Sequence, residues 1–201
     1  MTDALEATFQ ELLSSLAHPD RLSDTHSSSF YTFVHNPADT RELHRRIPMW
    51  TGILDRTGFS VHLLSLGKLA WDVVDRSQRW DDWLETEEPG AYEETNVSMR
   101  DVLLRDDDVA SGLATARPGL MASLAPHLLD ETPGRLVLLT DAALLHPWLR
   151  VDKLGSSLHS QIRCPTVLFY PGRRRGPFSL HFLGFHPEDA GSRRTTILGG
   201  H

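Results

Sequence analysis

Two spacings of apolar residues alternate along this chain, and they divide it into helices and strands. Leu5, Phe9, Leu12, Leu13 and Leu16 recur every three or four positions, which predicts an amphipathic helix over residues 3 to 17, ended by His18-Pro19. The polar run Ser23 to Ser29 reads as a loop, and Phe30 to His35 as a strand. Asn36-Pro37-Ala38-Asp39 has the order of a helix start: a capping side chain, a proline where the missing N–H costs nothing, and a carboxylate at the positive end of the dipole. The helix that follows runs to about Arg56, and Pro48 should kink or divide it. Gly58 closes it, Phe59 to Leu66 is a second strand, and Leu69 to about Leu84 a helix with Val73, Trp80 and Leu84 along one face.

Residues 85 to 134 follow neither spacing cleanly. Glu85 to Thr95 reads as an acidic loop, 96 to 105 as a short helix, and Pro118 starts another helix carrying Leu120, Met121, Leu124 and Leu128. Leu136 to Thr140 is then a strand, Asp152 to Gln161 a helix, and Thr166 to Tyr170 a strand covered on both faces. Ser179 to Phe185 is a further strand, and Arg193 to Leu198 an edge strand. Strands alternating with helices predict an α/β fold, with a Rossmann-like, mostly parallel sheet flanked by helices. We expect one domain over residues 1–201, with an N-terminal helix and loop (1–29) and a helical insert (85–134).

The densest pattern is Cys164 to Phe185, C-P-T-V-L-F-Y-P-G-R-R-R-G-P-F-S-L-H-F-L-G-F, where Pro171-Gly172 is expected to stop one strand and three arginines to fill the turn before the next. With Gly58 to Val74 (G-F-S-V-H-L-L-S-L-G-K-L-A-W-D-V-V) and Arg135 to Leu154 (R-L-V-L-L-T-D-A-A-L-L-H-P-W-L-R-V-D-K-L), it resembles the BrxB family of the bacterial BREX anti-phage systems, from about Phe30 onward. The shared order is a strand, a Gly- or Ala-rich loop ending in a Pro-aromatic pair, and a late strand ending F-Y-P-G. The resemblance implies a non-catalytic adaptor or structural component of a phage-defence complex associated with DNA methylation. The partners it implies are other BREX proteins: first the PglZ-type alkaline-phosphatase-like protein, then the adenine methyltransferase or the large ATPase. It carries over no catalytic residue and no cofactor.

Charge refines this picture. The formal net charge is −7, the wrong sign for a general nucleic-acid binder. From Asp72 to Asp108 there are 13 acids against 4 arginines, whereas from Arg163 to the end 6 arginines face Glu188 and Asp189. Two patches of opposite sign suit two different partners; solvated surface is the plainer account. One cysteine, Cys164, suits a buried thiol in a reducing cytosol. Met1 to Leu16 has neither the basic start nor the apolar core of a leader, and no run is long enough to span a bilayer, so a cytoplasmic protein without membrane contact is expected.

Candidate chemistry is sparse. There is no G-x-x-x-x-G-K-[ST] and no G-x-G-x-x-G, so although Leu136 to Asp141 ends like a Walker B strand, it lacks the phosphate loop that would accompany it. A strand ending in a capping Asp is the simpler reading. The eleven histidines follow no metal-ligand spacing, no G-x-S-x-G elbow occurs, and Ser156 and Ser157 fall inside an expected helix. What remains is the crevice at the carboxyl ends of the strands, expected to present Asn36, Ser65, Lys68, Asp141 and His146, with Arg173 nearby; such a set suits a phosphate-bearing ligand, an enzyme or a nucleotide sensor, though caps and turns use the same residues. Arg173, Arg174 and Arg175 are the interaction candidate, for an acidic protein surface or a DNA backbone. Trp71, Trp80 and Trp83 suit either core packing or a protein interface.

Overall fold

A computed structural model describes residues 3–18, 30–84, 91–105, 118–149, 151, 162–176, 179–184, 189–190 and 195–200. Within them the order is α1 (Ala4–Ala17), β1 (Phe30–His35), α2 (Thr40–Arg56), β2 (Ser60–Ser65), α3 (Leu66–Arg76), α4 (Trp80–Leu84), α5 (Ala91–Leu104), α6 (Leu120–Leu128), β3 (Arg135–Thr140), β4 (Thr166–Arg175), β5 (Ser179–Phe182), β6 (Asp189–Ala190) and β7 (Thr196–Gly199). The central sheet runs β2-β3-β4-β1-β7, and every pair in it is parallel. β5 and β6 extend it antiparallel from the far end of β4. The expected α/β class with a mostly parallel sheet is what the chain adopts.

Alternation along the strands sorts side chains between two cores. Tyr31, Phe33, Leu136, Leu138, Val167 and Phe169 face α1 and α2, where Phe9 and Trp50 are buried. Phe30, Val34, Val137, Leu139, Leu168 and Tyr170 face α3, α5 and α6. Covering on both faces explains why all six residues of β1 are buried while β2, at the edge, has none fully buried. α1 is started by Asp3, whose carboxylate accepts from the Leu5 amide at 3.0 Å and also pairs with Arg46 of α2.

Several expectations are corrected. α2 is continuous through Pro48, which costs the helix one hydrogen bond without dividing it. The helix expected from Leu69 to Leu84 is two, broken where Gln78 adopts a left-handed conformation (φ 55°). Residues 91 to 95 belong to α5 rather than to an acidic loop. The helix expected over Asp152 to Gln161 lies outside the described residues, as do Ser156 and Ser157.

The largest correction concerns Pro171-Gly172, which does not stop β4. Pro171 is the last position paired with β1, opposite His35, and from Gly172 the strand continues antiparallel to β5 as far as Arg175. Proline lacks the N–H for a further parallel rung, and its carbonyl accepts from Leu183 at 2.8 Å. Any Cβ at position 172 would run into the His181 carbonyl and the Tyr170 ring. F-Y-P-G is thus the point where one strand exchanges neighbours. The three arginines lie in the strand, before the turn.

Candidate functional site

β1 connects to β2 at one edge of the sheet, whereas β4 leads through β5 and β6 to β7 on the other side of β1. The neighbours β1 and β4 therefore send their chains in opposite directions, which makes their carboxyl ends the switch point of the sheet. A cleft of about 610 Å³ opens there. Its walls are Val34, His35 and Asn36 at the end of β1, Gly172, Arg173 and Arg174 of β4, Gly199 and Gly200 after β7, Asp39, and the first turns of α1 from Ala4 to Glu11. The glycines are required by proximity: a side chain at 199 would strike Thr8 of α1, one at 200 would strike Val34 and Arg174, and both residues have positive φ.

The polar groups of the cleft are partly committed. The Asn36 side chain accepts from the Ala38 amide at 3.1 Å, capping a short 3-10 turn over Pro37–Asp39. Glu11 accepts from the Gly199 amide at 3.0 Å and so ties α1 to the end of β7. Arg174 donates to the carbonyls of Gly176 (3.0 Å) and Ile197 (3.2 Å). Arg173 is exposed, and its side chain pairs with no described residue. His35 Nδ1 lies 3.0 Å from the Asn36 carbonyl, which can only accept, so Nδ1 carries the hydrogen and Nε2 keeps its lone pair. Burial lowers the pKa of His35 below its ordinary value and His44 acts in the same direction, while the Asn36 bond and Asp39 oppose them.

Of the residues expected in the crevice, only Asn36 and the neighbouring Arg173 line this cleft. Ser65 caps α3 by accepting from the Lys68 amide at 3.1 Å, and the Lys68 side chain is exposed. Asp141 makes no capping bond; at a left-handed backbone position (φ 61°), it accepts from Thr140 Oγ1 and pairs with His44 Nε2, both at 3.0 Å. His146 lies in the exposed turn after β3. Sequence reasoning missed His44 and the contribution of α1; the closing Gly199-Gly200 pair, where two backbones approach, was the available signal.

The arginine triplet is also divided. In a strand, successive side chains alternate, so Arg173 and Arg175 share one exposed face while Arg174 points the other way into its carbonyl partners. The tryptophans gather further than the sequence suggested: Trp71 stacks on Trp80 at 5.3 Å and 14°, meets Trp148 edge-on at 6.5 Å, and Trp80 meets Trp83 at 5.7 Å. Cys164 is buried, and burial raises its pKa. Among the described residues no group of His, Cys, Asp or Glu is arranged to hold a metal ion, and no helix is long and apolar enough to cross a membrane.

A parallel sheet with helices on both faces and a crevice at its switch point defines a doubly wound α/β protein whose sequence has no phosphate loop. The chain belongs to the BrxB family: the family profile described as BREX protein BrxB matches residues 62–197, from β2 into β7. That membership assigns it to BREX phage-defence systems. The match begins later than the expected Phe30, so α1, β1 and α2 precede it, and of these α1 and β1 supply much of the cleft lining. No curated protein and no solved structure shows significant similarity.

Proposed function

We propose that this chain is a non-catalytic, cytoplasmic adaptor of a BREX complex that works alongside DNA methylation, and that Arg173 and Arg175 contact a neighbouring BREX protein. The PglZ-type alkaline-phosphatase-like protein is the first candidate, before the methyltransferase and the large ATPase. The observation that carries the reading is the extension of β4 past the sheet. It presents two exposed guanidinium groups on one face of a strand whose backbone is already paired to β5. Little backbone entropy is left to lose there on binding, so charge pairing with an acidic surface converts efficiently into affinity. In the same direction, Ser65, Asp141 and Glu11 are occupied in internal bonds that hold the fold. Arg173→Ser/Arg175→Ser should reduce capture of the tagged partner and phage protection with an unchanged melting temperature. Undiminished capture and protection would refute the reading. Duplex DNA binding lost in the same variant, and falling steeply with salt, would replace the protein partner with a nucleic-acid backbone.

A second reading is favoured by the cleft itself: its position at the switch point and the unpaired Arg173 suit a phosphate-bearing ligand, with Asp39 and Glu11 on the opposite sign of the lining. A thermal shift with inorganic phosphate or mononucleotides that is lost in Arg173→Ser supports it; no shift with any of them dismisses it.

A further inference from the structure

We infer that the tryptophan face built by α3, α4 and the turn after β3 docks an arginine-bearing segment of a partner protein, a surface separate from the arginine strand and independent of its role. Four of the chain's five tryptophans, Trp71, Trp80, Trp83 and Trp148, form one connected cluster. Trp80, Trp83 and Trp148 rest against the buried core. Two of them are fixed from α5, the Trp83 indole donating to Ser98 Oγ at 3.2 Å and the Trp148 indole to Asn96 Oδ1 at 2.8 Å. On this base Trp71 is 48% exposed, and Leu144, which lines the same small hollow, is 55% exposed. A large aromatic ring held in a fixed orientation in water is the arrangement of an interface anchor, since it loses little freedom on binding and buries much apolar area.

Charge selects the partner. Asp72 and Asp75 flank Trp71 on α3, Asp75 one turn on along the same side, and Asp81 lies beside Trp80; all are exposed. Next to Trp83 a cleft is lined by Glu93, Glu94 and Asp101. Among the described residues the cations of these elements are Lys68, a turn before Trp71, Arg76, which donates to Ser123, Arg79, committed within the face, and Arg100 on α5. Arg79 itself shows the mode of recognition, its guanidinium over the Trp83 ring at 6.0 Å and its Nε 3.4 Å from Asp82. A partner's arginine on Trp71, reaching Asp72 or Asp75, repeats that contact: the planar cation stacks on the indole while its N–H groups meet a carboxylate.

The test uses fluorescence anisotropy of a labelled short peptide alternating arginine and leucine, titrated with the full chain, beside its lysine and glutamate counterparts. The expected order is arginine above lysine, with no binding of the glutamate peptide. Trp71→Ala should weaken the arginine peptide about tenfold and Trp71→Phe less. Asp72→Asn/Asp75→Asn should flatten the salt dependence. Equal affinity for arginine and glutamate peptides, no binding of the arginine peptide, or full affinity in a folded Trp71→Ala variant would each overturn the proposal. Salt-sensitive self-association abolished both by Trp71→Ala and by Arg173→Ser/Arg175→Ser would also overturn it, by assigning the face to a second copy of this chain. Because these readings need no BREX protein, their failure is distinct from failure of the adaptor reading.

Discussion

Trp50 and Trp71 each stack on another aromatic ring, Trp50 on Phe9 at 4.5 Å and 7° and Trp71 on Trp80 at 5.3 Å and 14°, yet the first is 1% exposed and the second 48%. The first stack joins α1 to α2 and reaches Phe33 of β1 at 5.7 Å, with the indole N–H donating to Glu6 at 3.3 Å. The second joins α3 to α4, with Trp80 resting on the core and Trp71 open to solvent on one side. The same ring contact thus serves cohesion on one face of the sheet and display on the other. What separates them is the neighbouring apolar stripe: Leu5, Phe9, Leu12 and Leu16 close the core over Trp50, whereas the elements beside Trp71 carry carboxylates.

The sharpest way to break the comparison is to delete both rings. Trp50→Ala should cost about 3–5 kcal/mol of unfolding free energy in urea, the usual range for emptying a fully buried aromatic site. Trp71→Ala should cost less, at most about 1 kcal/mol, because nearly half of its surface is already in water. Similar losses in the two variants would show that Trp71 is a core residue after all. Next in size is Gly172→Ala, expected to cost about 1–3 kcal/mol because the added methyl must displace the His181 carbonyl where β4 changes partners. Its hydrogen exchange should rise in β5 and stay slow in β1; uniform loss across the sheet would contradict a local switch.

The parallel sheet was legible because Phe30–His35, Leu136 to Thr140 and Thr166 to Tyr170 are buried on both faces and read as runs dominated by apolar and β-branched residues. The site was less so. Asn36 and Arg173 reached the cleft because strand ends are fixed by topology, but Ser65 and Asp141 were spent on a cap and a contact with His44, uses that a sequence of the same residue types does not distinguish from ligand binding. The arginines were misplaced in the turn because Pro-Gly ordinarily ends a strand, and only the antiparallel partner β5 shows that here it does not.

The smallest effect expected concerns pH. The folded state holds His35 neutral, with its pKa depressed by burial, while the unfolded chain takes up the proton near the ordinary value of 6.5. The unfolded state then binds more protons as pH falls through that value, so the stability His35 contributes is complete above about pH 6.5 and lost below it. The melting temperature should drop between neutral and mildly acidic buffer, and less so in His35→Gln; equal slopes would show that His35 is not the group responsible.

The central claim, an adaptor with two contact faces on a fold that neither face supports, is tested most directly by one paired measurement. Trp71→Ala and Arg173→Ser/Arg175→Ser, separately and together, are placed in cells carrying the whole defence system, and capture of the other BREX proteins on the tagged chain is measured beside its melting temperature. The account predicts that each variant loses a different partner, that the combination loses both, and that all melt close to the unsubstituted chain. Full capture by the combined variant, or loss that only follows a fall in melting temperature, would contradict it.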